Sequence, residues 1–309
     1  MPRSPTATFR GSSPHLHGIT TRPLILAAAA LALATLAGCA APASEEPTAT
    51  ERNAAGVPVV PAEAGHVHGM AVNPADGQLY LGTHGGTLVV DGDTITRIGD
   101  TTIDLMGFTV AGADHFYASG HPGPSDDLPN PVGLIESTDA GETWQPLSLT
   151  GESDFHTLGA AGNQVYGFNG QLIGTDDGRT WTPGAAEVAP ASLAVDPKAG
   201  TRVVATTEHG PALSTDRGET FTHLHGAPML LFVAWPAPDK LWGVSPEGAV
   251  HLSADSGKTW IEKGDVEAPS AFTAGQDGSV VVATQTQILT STDGATTFNL
   301  VAEITGGGH

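Results

Sequence analysis

Hydrophobic residues in this 309-residue chain fall into two unlike patterns. The first is one unbroken stretch, Pro23 to Ala37, made almost wholly of alanine and leucine. It falls short of the ~20 apolar residues that cross a bilayer as a helix. It also follows a weakly basic segment carrying Arg3, Arg10 and Arg22, so it reads as the apolar region of a secretory signal. The second pattern starts near His66 and runs to the C-terminus: short β-branched runs between glycine-rich tight turns, with no helical period. Six inner strands are predicted, opening at His66-Val67-His68, Asp104-Leu105-Met106, Asp154-Phe155-His156, Ala189-Pro190-Ala191, Ala227-Pro228-Met229 and Ala268-Pro269-Ser270. Tyr80, Tyr117, Tyr166 and Trp242 recur in the second strand of their units and are expected in the core between units.

One motif returns through the second pattern. It reads Ser137-Thr138-Asp139-Ala140-Gly141-Glu142-Thr143-Trp144, then Gly174 to Trp181, Ser214 to Phe221 and Ser253 to Trp260, with a degenerate fifth copy from Ser291 to Phe298. Taking Asp139, Asp176, Asp216, Asp255 and Asp293 as equivalent, the steps are 37, 40, 39 and 38 residues. A period near 40 with four short strands per unit predicts an all-β, six-bladed β-propeller. The carboxylate can accept hydrogen bonds from the turn backbone, the glycine supplies a positive φ, and the aromatic restarts the strand. The motif resembles the Asp-box, or bacterial neuraminidase repeat. These aspartates are expected to be structural, in turns on the face opposite the inner-strand starts.

The apolar stretch ends in Leu36-Ala37-Gly38-Cys39. This resembles the bacterial lipobox, which implies a lipid on Cys39 and an extracytoplasmic protein held to the cell membrane. Cys39 is the only cysteine, so the fold is expected to rest on its core without disulfides. Residues 1–38 are thus assigned to the signal and 39–63 to a flexible tether rich in Ala, Pro, Thr and Glu. Residues 64–309 are assigned to the propeller, expected to fold as a monomer without the tether. With the three signal arginines set aside, nine of the twelve basic residues face 33 acidic ones. Such a field repels phosphate backbones and excludes nucleic acid as a partner.

The face carrying the inner-strand starts and the turns between second and third strands surrounds the channel mouth, where ligands bind. It collects His66, His68, His84, His121, His156 and His209, six of the chain's 13 histidines, together with Met106 and Met229. Imidazole and thioether together suit copper, thioether favouring Cu(I), and neighbouring carboxylates could orient the imidazoles. The first choice of ligands is His68, Met106, His156 and Met229, with His66, His84, His121 and His209 as alternatives or an approach path. The same residues could instead plug the channel, since methionine fills irregular gaps.

The segments His66-Val67-His68-Gly69, Met106-Gly107-Phe108, Ser119-Gly120-His121-Pro122 and Glu152 to His156 resemble a family of exported bacterial Asp-box propellers labelled glycosyl hydrolase-like, or sortilin- and sialidase-like. The resemblance spans His66 to Ile304. It implies the propeller and, more weakly, a glycan-binding or hydrolytic role. Sialidases are similar to one another in an arginine triad. Here Arg179 and Arg217 fall inside Asp-boxes and Arg97 and Arg202 away from the inner-strand starts, so a sialidase site is absent. Another glycosidase would draw its two carboxylates from Asp104, Asp154, Glu208 and Glu247, with Phe155 as the best sugar-stacking ring.

Overall fold

In this computed structural model, which describes residues 50–305, strand follows strand with no α-helix among the described residues. Cys39, the signal and the first part of the tether lie outside the described residues. No helix among the described residues is long and apolar enough to cross a membrane.

The strands form six antiparallel sheets in sequence order. Blade one holds β2 (Val67–Val72), β3 (Leu79–Thr83), β4 (Gly86–Asp91) and β5 (Thr94–Ile98). Blade two holds β6 (Asp104–Gly112), β7 (His115–His121), β8 (Leu134–Ser137) and β9 (Gln145–Ser148). Blade three holds β10 (Thr157–Ala161), β11 (Gln164–Phe168), β12 (Leu172–Thr175) and β13 (Thr182–Pro183). Blade four holds β14 (Ser192–Val195), β15 (Val203–Thr207), β16 (Gly210–Ser214) and β17 (Thr222–His223). Blade five holds β18 (Phe232–Ala237), β19 (Lys240–Val244), β20 (Ala249–Ser253) and β21 (Ile261–Asp265). Blade six holds β22 (Ala271–Ala274), β23 (Val280–Ala283), β24 (Gln287–Ser291) and β25 (Asn299–Ile304). The result is the six-bladed propeller that the repeat predicts.

Alternation along each strand sends side chains to both faces of its sheet, and each face packs on the next blade. The core is therefore divided into six apolar clusters, one per seam. Tyr80, Tyr117, Tyr166 and Trp242 are all buried in these seams, as their recurrence predicts. The Asp-box aromatics join them: Trp144 meets Phe108 edge-on at 6.4 Å between ring centroids, and Trp181 stacks on Phe155 at 5.3 Å.

The Asp-boxes close the turns between third and fourth strands. Asp139 Oδ1 accepts from Thr143 N–H at 2.9 Å and from Ser137 Oγ–H at 2.7 Å, while its Oδ2 accepts from Thr143 Oγ1–H at 2.7 Å. Asp216, Asp255 and Asp293 repeat the pattern on Thr220, Thr259 and Thr297. The second box corrects the sequence assignment. Asp177, not Asp176, accepts from Arg179 N–H, Thr180 N–H and Thr180 Oγ1–H. Asp176 pairs instead with Arg217 at 3.4 Å. The functional frame is Ser/Thr-x-Asp, which places Thr175 and Asp177 in register and evens the spacing to 38, 39, 39 and 38 residues. This box is one residue shorter between its aspartate and its threonine, so aligning it on Gly178 and Trp181 puts Asp176 where the other boxes have their aspartate.

These hydrogen bonds favour the charged carboxylate. The Thr220 and Thr259 hydroxyls, helped by the same threonines' backbone N–H groups, bring Asp216 and Asp255 down to about 2. Asp177 and Asp293 are also held well below the usual carboxylate range, by the Thr180 backbone N–H and the Thr297 hydroxyl respectively. A carboxyl whose folded-state pKa is depressed stabilises fully above its unfolded value, about 3.9 for Asp, and loses that contribution as pH falls through the folded value. The melting temperature is therefore expected to hold as these groups are followed down to about pH 4 and to fall between about pH 4 and 2. The double variant Asp216→Asn/Asp255→Asn should start lower and fall less steeply there. Parallel curves for the variant and the parent would show that the boxes do not carry the acid sensitivity.

The N-terminal segment departs from expectation. Residues 50–63, assigned to a free tether, lie against the propeller as a strap over the seam between blades one and six. Thr50 exchanges hydrogen bonds with Ile95 of β5, and Arg52 pairs with Asp93 at 2.9 Å. β1 (Val59–Val60) then adds in parallel to β25 as a fifth strand of blade six. Val59 and Val60 are 6% and 1% exposed, and Ala64 is 2% exposed. A segment poor in large apolar residues docks because Val59 and Val60 find the open edge of β25 and Val60 joins the adjoining core cluster.

Candidate metal centre

Two features of local backbone build the rim. In β2, Val67 pairs with Thr83 and Gly69 with Gly82, which leaves His68 as an extra, unpaired residue. In β6, Leu105 pairs with Gly120 and Gly107 with Ser119, leaving Met106 in the same position. Such bulges re-aim a side chain at a strand end. Close approach of neighbouring inner strands is the second feature. A Cβ on Gly107 would run into the Phe155 carbonyl, and one on Gly69 would lie 2.9 Å from Phe108 Cβ. Glycine at these points lets blades one, two and three close up where the histidines are concentrated.

The central channel is a cavity of about 250 Å³ lined by inner-strand residues of all six blades, alanine the most frequent, with His68 and His156 among them. His68 stands beside His84, which comes from the turn between β3 and β4. Their Nε2 atoms are 3.2 Å apart. Asp104, at the start of β6 in the next blade, completes the group. Its Oδ2 accepts from His84 Nδ1 at 2.9 Å and its Oδ1 lies 3.7 Å from His68 Nε2. Donor atoms of the three residues lie within 4.8 Å of one another. Asp104 Oδ1 is shielded from solvent and makes no hydrogen bond. His66 flanks the group, its ring centroid 5.3 Å from that of His84 and 6.2 Å from that of His68.

The electrostatics suit a cation. The carboxylate fixes His84 with its proton on Nδ1, which leaves the Nε2 lone pair turned toward His68. Burial, reinforced by the facing His84, lowers His68 to about 4. His68 is therefore a neutral imidazole near neutral pH, the form that ligates metals. Nitrogens 3.2 Å apart match two ligands each about 2.0–2.1 Å from one ion and subtending about 100°. The strap abuts this group: a Cβ on Gly65, whose φ is +65°, would sit 2.9 Å from His84 Cδ2.

Other rim residues are distributed differently. His156 and His121 gather on Asp154, one blade farther round, with Nε2–Oδ2 distances of 2.9 and 3.3 Å. His209 sits apart, 73% exposed, beside Glu208 and with its ring 6.3 Å from that of His223. Met229 does not occupy the rim position assigned to it. Ala191, Leu231 and Ser270 donate the equivalent backbone hydrogen bonds to Thr206, Val244 and Ala283, so Leu231 holds that place in blade five. Met229 lies two residues earlier and is 47% exposed. The Ala-Pro pair before it imitates those of blades four and six, but blade five has two more residues before its inner strand. Phe155, the ring available for sugar stacking by sequence, is fully buried in the seam between blades two and three. Asp104 is the residue whose direct role was underrated. Its place two residues ahead of Met106, matched by Asp154 two residues ahead of His156, was the available signal.

No family model matches the chain, and no curated protein matches it. Solved structures do. The extracellular domain of the BT4673 hybrid two-component system from B. thetaiotaomicron is similar over 82% of this chain and 34% of its own, at 11% identity and a TM-score of 0.53. XC5397 of Xanthomonas campestris, described as a gluconolactonase, is similar over 80% of this chain and 95% of its own, at 15% identity and a TM-score of 0.54. The chain thus spans about a third of the length of the first of these and nearly all of the second. At these identities the likeness concerns architecture alone, and the chain shares with these proteins the β-propeller fold.

Proposed function

We propose that this protein is an exported lipoprotein, anchored through Cys39, whose propeller binds a copper ion at the channel mouth through His68, His84 and Asp104. The observation that carries the reading is the pair of imidazole nitrogens 3.2 Å apart beside a shielded carboxylate oxygen that makes no hydrogen bond. Two imidazoles and one carboxylate form a mixed nitrogen and oxygen set, for which copper heads the divalent affinity order. Met106, two residues beyond Asp104 on β6, adds a soft donor on the same rim and extends the site's range toward Cu(I). A negative net charge of −21 favours cation approach. The site is held by rigid strand ends instead of long loops, so little ordering cost accompanies binding.

The test is copper retention. The mature chain, made as Cys39→Ser to omit the lipid, is loaded with Cu(II), dialysed against metal-free buffer and titrated with a chromophoric chelator. At least one equivalent is expected to stay bound. A chain that leaves dialysis free of copper would remove the proposal. The anchor is tested separately by fractionation: Cys39→Ser should move the protein out of the membrane fraction, and unchanged membrane association would refute the lipid.

A further inference from the structure

The construction that makes the first group recurs one blade on. In blade one, a histidine at the turn between the second and third strands, His84, reaches an aspartate at the start of the next inner strand, Asp104. In blade two, His121 ends β7 and reaches across the following seam to Asp154, just ahead of β10. Each aspartate also meets a histidine from an inner-strand start, His68 for Asp104 and His156 for Asp154. Each has one oxygen, Oδ1, that is shielded from solvent and makes no hydrogen bond.

We propose that His121, Asp154 and His156 form a second, separate site for a divalent transition-metal ion. The chemistry of His121 is the strongest support. Asn130 Oδ1 lies 2.7 Å from its Nδ1 and can only accept, so Nδ1 carries the proton in the neutral ring. The Nε2 lone pair then faces Asp154 Oδ2 at 3.3 Å, two acceptors in contact. A cation between them turns that repulsion into ligation. Each histidine stands at ligand separation from the carboxylate: Oδ2 lies 3.3 Å from His121 Nε2 and 2.9 Å from His156 Nε2, as for neighbouring ligands about 2.0–2.1 Å from one ion at angles of about 90–110°, while the two imidazole nitrogens stand more than 4.8 Å apart. Bringing both imidazoles onto one ion takes a swing of the His156 ring, whose side chain is 61% exposed and has room for it. Asn130, in the segment between β7 and β8, orients His121 as Asp104 orients His84.

The two sites are neighbours. His156 is among the groups whose charge acts on His68. The second site is also the more open one, with side-chain exposures of 40% for His121 and 61% for His156 against 18% for His68 and 36% for His84.

Calorimetric titration of the mature Cys39→Ser chain with Zn(II) tests the inference. Two equivalents are expected for the parent. His121→Ala/His156→Ala should lose one and leave the tighter phase unchanged. His68→Ala/His84→Ala should lose the tighter one and keep the other. Asp154→Asn, which preserves side-chain size, should weaken the second phase at least tenfold. If His121→Ala/His156→Ala binds as many equivalents as its parent, the second site is refuted while the first stands. If His68→Ala/His84→Ala alone is without effect, the first site is refuted and the second stands. Thermal melts of each variant confirm that the fold is intact.

Discussion

A chain shortened to begin at Gly65 is expected to melt roughly 10–20 °C below one that begins at Thr50. The missing strap carries Val59 and Val60, both buried, and the backbone pairing of β1 on β25. Burying two valines contributes about 3–6 kcal/mol, a large part of the ~5–15 kcal/mol that stabilises a typical fold. The four antiparallel strands of blade six come from the C-terminal end of the chain, so β1 is the N-terminal strand that ties this blade back toward blade one. The strap bridges that seam by holding β5 through Thr50, the turn ahead of β5 through Arg52, and β25 through β1. Its loss also bares the edge of β25, and an unpaired strand edge invites association. The shortened chain should therefore aggregate on heating where the longer one does not. Equal melting temperatures would show that the ring closes on blade packing alone.

The second large effect concerns the metal. His68→Ala and His84→Ala should each weaken copper binding roughly a hundredfold or more, and together abolish it within the range that chelator competition reads. Asp104→Asn should cost less, about 10–100-fold, because it keeps the shape that packs His84 while removing the charge and weakening the tautomer control. His209→Ala should change nothing, since that ring is 73% exposed and stands with His223. An order of effects with His209 above His84 would contradict the geometry.

The sequence carried most of the fold because each blade repeats the same physical problem. A turn needing a carboxylate and a positive φ recurs at a fixed step, and a seam needing an aromatic recurs with it, so five boxes at that step and six inner-strand starts together predict six blades. The strap was illegible for the opposite reason. Its composition is that of a linker, and only the open edge of β25, a tertiary feature, makes two valines a strand. The rim histidines were legible as a ring, since equal strand positions converge in a closed propeller. Their partition was not: His84 and His121 reach across seams to Asp104 and Asp154, and contacts between successive blades leave no local periodicity. The bulges at His68 and Met106 likewise depend on pairing register. Met229 was misplaced because Ala227-Pro228 copies the lead-in of two other blades while the backbone hydrogen bonds start two residues later.

Crystals of the Cys39→Ser chain soaked in Cu(II) and measured at the copper absorption edge test the central claim most directly. An anomalous peak is expected within about 2.0–2.3 Å of both His68 Nε2 and His84 Nε2, with Asp104 Oδ1 turned toward it. Copper found only at the exposed His209, His223 and His225, or no peak at the channel mouth, would contradict it.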